Sequence, residues 1–504
     1  MTLDPDACYR ALVAHDARFD GRFFVGVRST GVYCRPVCTV RTPGRAQCRF
    51  FPSAAAAEAG GFRPCLRCRP ELAPGFAAVD ASRQLANAAI RLIDDGFLEG
   101  RTLDDLALRL GITSRHMRRV FETEFGVAPV AYAQTQRLLL AKRLLTDTAL
   151  PVTDVAFASG FASVRRMNAL FAQRYRMPPT RLRARGELAR TDRLSFALGF
   201  RPPYAWEAML AFLSARAIAG VELRDGSSWR RAVAIRHRGE RHLGTLRVSL
   251  AARRNALAVE VSPSLARVLP QVLARVRQAF DLGCDPDEVG GALGSLARSL
   301  PGLRIPGAFD GFEIGVRGVL GQQVSVRAMT TLMGRFASAF GTPLPEPQAG
   351  VALAFPEAAE VAGRSESAIA AIGVPKARAR TVIALARAVA DGLDLSPAAD
   401  AAATIDRLQE LPGVGPWTAQ YIALRALGWP DAFPHTDLGV KRALGFERPA
   451  DVLAHAERWR PWRGYAVLHL WHGLALTPGP SPRLRGARGG QPPSPAARRE
   501  RGRG

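Results

Sequence analysis

The cysteines of this chain are concentrated near its start. Six of the seven lie in the first 68 residues, and four of these form two close pairs. Three residues separate the cysteines of the first pair, two residues separate those of the second, and 26 residues lie between the pairs. The four are Cys34, Cys38, Cys65 and Cys68. Four thiolates in two pairs suit tetrahedral zinc, whereas a secreted disulfide framework is seldom confined to one end of a long chain. The spacing predicts a zinc-bound domain over 1–75, with Cys8 and Cys48 as ordinary thiols.

The charge of the chain indicates its partners. A formal net charge of +25 and a pI of about 11.1 favour binding to polyanions, and nucleic acid is the leading candidate. No run of about 18 uncharged apolar residues is present, so we expect no membrane span and a cytoplasmic protein. The stretch 477–504 holds seven arginines and one acid among Pro, Gly and Ser, a composition that predicts a disordered basic tail.

A length of 504 residues predicts several domains. The patterns of the segments predict that these domains are mainly α with a smaller α+β part. The segment 80–185 has helical periodicity and a basic composition. The segment 190–305 contains strand-like stretches such as "RAVAIRHR" and "ALAVEVSP", which predict an α+β domain. Helical periodicity returns over 306–476, where we expect an all-α domain.

A repeat of about 50 residues lies within 80–185. "TLDDLALRLGITSRHMRRVFETEFGVAP" aligns with "PVTDVAFASGFASVRRMNALFAQRYRMPP", and Gly111 matches Gly160. Each copy is typical of a helix-turn-helix, in which glycine permits the tight turn. A plain helical bundle is the alternative, but two copies with 15 basic against 6 acidic residues across 101–186 favour DNA binding. The pair resembles the AraC-type DNA-binding domain.

The second helix of each copy carries the side chains that could reach bases or phosphates. These candidates are Arg115, Arg118, Arg119, Arg165, Arg166 and Asn168.

The sequences that flank the cysteines indicate a protein family more specifically than the cysteine spacing does. "DARFDGRFFVGVRSTGVYCRPVC" and "AAAEAGGFRPCLRCRP" closely resemble the N-terminal domain of the Ada adaptive-response family. The resemblance implies that Cys34 both binds zinc and accepts a methyl group from a methylated DNA phosphate, irreversibly. Cys38, Cys65 and Cys68 would complete the metal site. A purely structural zinc site is the alternative.

"LPGVGPW" in the last globular segment predicts a helix-hairpin-helix. Leu411, Gly413 and Gly415 form its turn, where glycines let the backbone approach a DNA phosphate without reading sequence. Asp437 follows Gly413 by 24 residues and precedes an apolar-periodic stretch. An isolated aspartate there would be read as a helix cap. With the hairpin, it resembles the helix-hairpin-helix DNA glycosylases, in which such an aspartate drives cleavage of the base–sugar bond.

Two features indicate the branch of that superfamily. Its lyases carry a lysine two residues after the second hairpin glycine, and Trp417 occupies that position here. No cysteine follows Cys284, so we expect no iron–sulfur cluster. A monofunctional hydrolase is therefore predicted rather than an oxidised-base lyase.

Most of 194–472 resembles the AlkA-type 3-methyladenine glycosylases, for example in "RPPYAWEAMLAFLSARAIAGVE" and "ERWRPWRGYAVLHLWHG". The resemblance implies a base pocket that stacks cationic alkylated purines on aromatic rings. Its lining residues would be Trp417, Tyr421, Trp471 and Phe212. Core packing is the alternative for each ring. Two positions depart from the family: Leu438 replaces a pocket tyrosine, and Gln323 replaces the leucine wedge.

Together these resemblances predict a fusion that acts on alkylated DNA. The N-terminal half would transfer methyl groups from DNA methylphosphotriesters and activate transcription at promoter DNA, with RNA polymerase as an expected partner. The C-terminal half would release 3-methyladenine and 7-methylguanine. The main alternative is an alkylation-sensing regulator whose glycosylase-like half only binds DNA. A second alternative is an enzyme whose N-terminal half only binds DNA and contains zinc only as a structural metal.

Overall fold

The structure is a computed structural model that describes residues 4–16, 19–73, 84–183 and 193–476. The predicted disordered tail at 477–504 lies outside the described residues. In these ranges no helix combines the length and the apolar composition that a membrane crossing requires.

A four-stranded sheet of order β3-β1-β2-β4 organises the N-terminal segment. Its elements are α1 (Pro5–Val13), β1 (Phe24–Val27), β2 (Val32–Cys34), β3 (Cys48–Phe51), α2 (Ala54–Ala59) and β4 (Arg63–Pro64). Gly26 in β1 lies directly under two rings, since a Cβ there would be 2.8 Å from Phe51 and 2.9 Å from Phe62. Only glycine fits this close approach, which allows the rings to cover the sheet.

Within the described range 84–183, six α-helices follow, and they contain both predicted helix-turn-helix pairs. They are α3 (Gln84–Asp94), α4 (Leu103–Arg109), α5 (Ser114–Phe125), α6 (Pro129–Asp147), α7 (Val152–Ala158) and α8 (Val164–Tyr175). Gly111 (φ 68°) and Gly160 (φ 80°) take left-handed conformations in the two turns, as predicted. A capping box between Thr102 and Asp105 begins α4, and the Thr113 side chain caps α5.

An antiparallel five-stranded sheet of order β5-β9-β8-β7-β6 forms the predicted α+β part. Its strands are β5 (Leu194–Gly199), β6 (Glu222–Asp225), β7 (Ser228–His237), β8 (Glu240–Leu250) and β9 (Ala256–Val261). Helices α9 (Trp206–Ser214) and α10 (Leu269–Ala279) share a core with the sheet, whereas the buried residues of α11 (Pro286–Leu293) lie in the core of the C-terminal helices. Both strand-like stretches identified in the sequence fall in this sheet, in β7 and β9.

The C-terminal segment is a helical layer. Its helices are α12 (Gly311–Leu320), α13 (Val326–Phe340), α14 (Ala358–Ala362), α15 (Glu366–Ala370), α16 (Lys376–Ala390), α17 (Ala401–Gln409), α18 (Pro416–Arg425), α19 (Leu438–Leu444), α20 (Pro449–Ala456) and α21 (Arg463–Leu476). It also contains a hairpin of β10 (Thr342–Gln348) and β11 (Val351–Ala354) that the all-α expectation did not include. The hairpin forms because Leu344 and Val351 pack with Ala232 of β7.

Two buried cores join segments that the sequence analysis treated separately. Phe24 and Tyr33 of the N-terminal sheet share a core with Met117 and Phe121 of the first helix-turn-helix. A second core unites helices α6 to α8 with the five-stranded sheet. Arg143 of α6 is buried and donates to the Ala197 carbonyl at 2.8 Å. The helix-turn-helix pairs are therefore packed against both halves of the chain.

Glu58 of α2 is a buried link within the first core. Its Oε1 accepts from the hydroxyls of Tyr33 (3.1 Å) and Tyr175 (3.2 Å), and its Oε2 accepts from Thr135 (3.0 Å). Burial raises the pKa of Glu58 to about 7, and these hydrogen bonds only partly oppose that shift. One carboxyl thus connects the N-terminal sheet, α6 and the end of α8.

We expect the Glu58→Gln variant to gain stability relative to wild type as pH rises. The folded protein keeps the Glu58 proton up to a pH of about 7, whereas the unfolded chain releases it near its ordinary pKa. Stability from this group is therefore lost between about pH 4.5 and 7, by roughly 3 kcal/mol. Urea unfolding of both proteins from pH 5 to 8 measures the difference. Exposed Glu122→Gln is the control, and an equally flat difference for both variants would contradict the expectation.

Candidate functional sites

The four clustered cysteines converge on one point. Their Sγ atoms all lie within 4.8 Å of one another, with Cys34, Cys38 and Cys65 buried and Cys68 half-buried. A short parallel pairing of β2 with β4 brings the two cysteine pairs together across the 26-residue gap, because Tyr33 pairs with Pro64 and a cysteine follows each of these two residues. Four soft sulfur donors at this separation fit one Zn²⁺.

Arg35 is held beside this cluster. Its Nε donates to Asp20 at 2.9 Å, its Nη1 donates to the Cys68 carbonyl at 3.1 Å, and its backbone N–H lies 3.4 Å from the Cys68 sulfur. Cys8 and Cys48 lie instead in a separate apolar cluster. Burial raises the pKa of the Cys8 thiol to about 11 and raises that of Cys48. Both are neutral thiols, as expected for cysteines outside the metal site.

The six candidate side chains on the second helices of the two pairs are all exposed. Arg115, Arg118 and Arg119 lie along α5, where the Arg119 Nη2 is 3.0 Å from the His116 Nδ1. On α8, Ser163 caps the helix, and Arg165, Arg166 and Asn168 follow in its first two turns. Each set is available to an approaching duplex.

The predicted hairpin lies between α17 and α18. Gly413 has a φ of 82°, and Gly415 is the N-cap of α18 and so provides no side-chain cap, while Leu411 packs against the core. Gln322, which the sequence analysis did not single out, donates to the Gly413 carbonyl at 2.8 Å and to the Thr418 hydroxyl at 2.9 Å. The hairpin is thereby tied to the α12–α13 turn, where Gln323 is exposed at a φ of 55°.

We expect Gly413→Ala to destabilise the protein and Gly415→Ala to leave its stability nearly unchanged. A Cβ at Gly413 would lie 2.2 Å from the Thr381 Oγ1, in a left-handed conformation, whereas a Cβ at Gly415 would meet no atom within 4 Å. The clash and strain cost about 1–3 kcal/mol. Thermal unfolding of the two variants checks this, and equal midpoints would contradict it.

Asp437 is a helix cap and also faces the aromatic side chains. Its Oδ1 accepts from the Val440 N–H at 2.9 Å, which begins α19. The same oxygen accepts from the Trp471 Nε1 at 3.0 Å, and Oδ2 accepts from the Trp417 Nε1 at 2.7 Å. The two readings of this aspartate that the sequence left open are therefore compatible. The neighbouring Leu438 is 59% exposed, so an apolar side chain flanks the carboxylate at the surface.

The four predicted pocket rings come from three different helices. Trp417 stacks on Tyr421 with ring centroids 5.3 Å apart and planes 12° from parallel. Phe212 of α9 is linked to Tyr421 through Arg425, whose guanidinium lies 4.8 Å from the first ring centroid and 5.8 Å from the second. Trp471 on α21 joins the set through its hydrogen bond to Asp437.

Two arginines near these rings were missed by the sequence analysis. Arg216 lies 3.7 Å from the Phe212 centroid, and Arg425 donates to the Tyr421 hydroxyl at 3.2 Å. Burial lowers the pKa of both, to about 10 for Arg216. Each follows its aromatic partner by four residues, a helical spacing that could have identified it.

The comparisons with known proteins divide the chain in the same order as the sequence analysis. Residues 7–71 match the metal-binding domain of Ada, and 106–185 match a helix-turn-helix domain. Residues 195–310 match the AlkA N-terminal domain, and 316–448 match the HhH-GPD superfamily of base excision DNA repair proteins. Together with the four sulfurs, the first match confirms zinc as the predicted cofactor.

Three curated relatives are similar over different parts of the chain. The probable bifunctional transcriptional activator/DNA repair enzyme AlkA of Mycobacterium tuberculosis H37Rv is 40% identical over 94% of this chain and 97% of its own length. DNA-3-methyladenine glycosylase 2 of Escherichia coli K12 is 39% identical over 55% of this chain and 96% of its own length. The bifunctional activator/repair enzyme Ada of Escherichia coli K12 is 35% identical over 32% of this chain and 43% of its own length.

The fold and sites define a helix-hairpin-helix base-excision unit fused to an Ada-type metal-binding and helix-turn-helix unit. The full-length similarity specifies the family further. The chain belongs to the bifunctional transcriptional activator/DNA repair enzymes that combine Ada-type and AlkA-type halves.

Proposed function

We propose that the C-terminal half hydrolyses the N-glycosidic bond of alkylated bases in DNA, of the 3-methyladenine and 7-methylguanine type. The observation that carries this proposal is the Asp437 carboxylate, which accepts hydrogen bonds from the indoles of Trp417 and Trp471, the first of which stacks on Tyr421. The similarity to DNA-3-methyladenine glycosylase 2 supports the substrate class.

The chemistry follows from the charge of the substrate. An alkylated purine is cationic, so it stacks on electron-rich rings and leaves as a neutral base with the bonding electron pair. The sugar becomes oxocarbenium-like, and the Asp437 carboxylate stabilises it while water adds to C1′ and loses a proton. Trp417 stands where a lyase would carry its Schiff-base lysine, so the proposed reaction ends at an abasic site. The base must leave the duplex to enter the pocket.

The N-terminal half would act on DNA phosphates. In the proposed transfer, the Cys34 sulfur forms a bond to the methyl carbon as the carbon–oxygen bond of a methylphosphotriester breaks, leaving a phosphodiester. Bound zinc would keep the sulfur deprotonated at neutral pH. Because the methylated sulfur carries one negative charge less, the domain repels DNA less, which supports transcription activation through the two exposed arginine-bearing helices. DNA is the partner of both halves, and promoter DNA and RNA polymerase are the proposed regulatory partners.

Base release from methylated duplex DNA tests the glycosylase. We expect the zinc-loaded protein to release free 3-methyladenine and 7-methylguanine, measured by chromatography, without strand breaks unless alkali is added. Breaks without alkali would indicate a lyase. If folded, zinc-loaded protein releases no base but still accepts methyl groups from methylphosphotriesters, the chain is a regulator with an inactive glycosylase-like half.

A further inference from the structure

Both indole N–H groups next to Asp437 point at its carboxylate rather than away from it. Trp417 on α18 donates to Oδ2 at 2.7 Å, and Trp471 on α21 donates to Oδ1 at 3.0 Å. A ring that only stacks on a base needs its faces, and the direction of its N–H is then immaterial. Here two rings from different helices direct their only polar atom to different oxygens of one carboxylate.

The surrounding packing fixes both indoles in these orientations. The near-parallel stack on Tyr421 sets the plane of the Trp417 ring. Trp471 approaches Asp437 across Gly439, where a Cβ would lie 2.9 Å from the Asp437 Oδ1 and 3.3 Å from the Trp471 Cδ1. Glycine at this position therefore permits the contact between the second indole and the carboxylate.

Three donors then hold the carboxylate, because the Val440 N–H also binds Oδ1 at 2.9 Å. With a donor on each oxygen, rotation about the last side-chain bond would break at least one charge-assisted hydrogen bond. The orientation of the carboxylate relative to a bound sugar is thus set before substrate arrives, which is where preorganised electrostatic stabilisation is most effective.

We propose that Trp417 and Trp471 are positioning residues that act on the reaction through Asp437, in addition to any contact with the base. This inference rests on the proposed glycosylase function. It assigns the indole nitrogens, rather than the ring faces, as the groups whose loss slows base release.

Single-turnover kinetics with Trp417→Phe and Trp471→Phe test the inference, since phenylalanine keeps a ring and removes the N–H. We expect each variant to lower the maximal rate of base release by about 10- to 100-fold. The protein concentration that gives half the maximal rate should not change, and the loss should be equal for 3-methyladenine and 7-methylguanine. Gly439→Ala, whose Cβ would crowd both the Asp437 Oδ1 and the Trp471 ring without altering a ring, should show the same pattern.

Trp429→Phe is the matched control, because this half-buried tryptophan lies outside the site. Its rate should stay within about twofold of wild type. An unchanged rate in both site variants would overturn the inference. A rate loss that differs between the two bases would also overturn it, and so would a change in the half-maximal protein concentration. Either result is expected if the rings act only by stacking on the base. Wild type that releases no base would instead refute the proposed function.

Discussion

We expect the Asp437→Asn variant to release bases at least about 10³-fold more slowly than wild type while the protein stays folded. The change removes the negative charge that stabilises an oxocarbenium-like sugar, and electrostatic groups of this kind contribute about 3–4 kcal/mol or more to lowering the barrier. Asparagine caps helices as well as aspartate does, so the bond from the Val440 N–H can persist. Only one acceptor oxygen then remains for the two indoles, which further disturbs the site. Single-turnover release of 7-methylguanine measures the effect.

Two further variants separate charge from capping. Asp437→Ala removes both the charge and the cap, so it should be as inactive as the asparagine variant and less stable by about 1 kcal/mol. Asp400→Asn makes the same change at the cap of α17, where the side chain accepts from the Ala403 N–H at 3.0 Å. It should retain full activity. If Asp437→Asn kept more than a tenth of the wild-type rate, the role proposed for this carboxylate would be wrong.

Local spacing was sufficient to predict the sites whose functional residues lie close together in the sequence. The cysteines of each pair are close in sequence, so their spacing predicted a metal site without knowledge of the fold. Only the meeting of the two pairs depends on the contact between β2 and β4. The helix-turn-helix repeats could also be predicted from the sequence, because a glycine with a left-handed conformation occurs at the same position of both copies. Asp437 was found by its distance from the hairpin, which depends on a resemblance rather than on periodicity.

Features that depend on contacts between distant segments were not predictable in this way. Glu58 is the one acid in an alanine-rich stretch, and nothing in the neighbouring sequence indicates that Thr135 and Tyr175 donate hydroxyl hydrogen bonds to it. The shared core between α6 to α8 and the five-stranded sheet arises because both present apolar faces, and the sequence does not say which faces meet. The directions of the Trp417 and Trp471 N–H groups are rotamer choices set by packing, so the sequence predicted the rings but not the hydrogen bonds.

The second large effect concerns the methyl acceptor. We expect one methyl group per chain after incubation with DNA that carries methylphosphotriesters, located on Cys34. Exposure alone would favour Cys68, which is half-buried, whereas Cys34 is 5% exposed. The Cys68 sulfur, however, accepts the Arg35 backbone N–H at 3.4 Å, and such a bond withdraws electron density from sulfur. No hydrogen-bond donor from the described backbone lies against the Cys34 sulfur, so it should be the stronger nucleophile.

Peptide mass spectrometry of the methylated wild-type protein locates the methyl group without any substitution that could release zinc. Methyl on the peptide that contains Cys68 would refute the assignment, whatever the variants do. Cys34→Ala should then abolish transfer completely, and Cys8→Ala should leave it intact, since Cys8 lies in a different apolar cluster. The pair also tests the two halves of the chain separately. Neither variant should change base release, because Cys34 lies in the cysteine cluster, whereas Trp417 and Trp471, which bind Asp437, pack against the core of the C-terminal helices. Loss of base release in Cys34→Ala alone would show instead that the metal-binding domain supports the glycosylase.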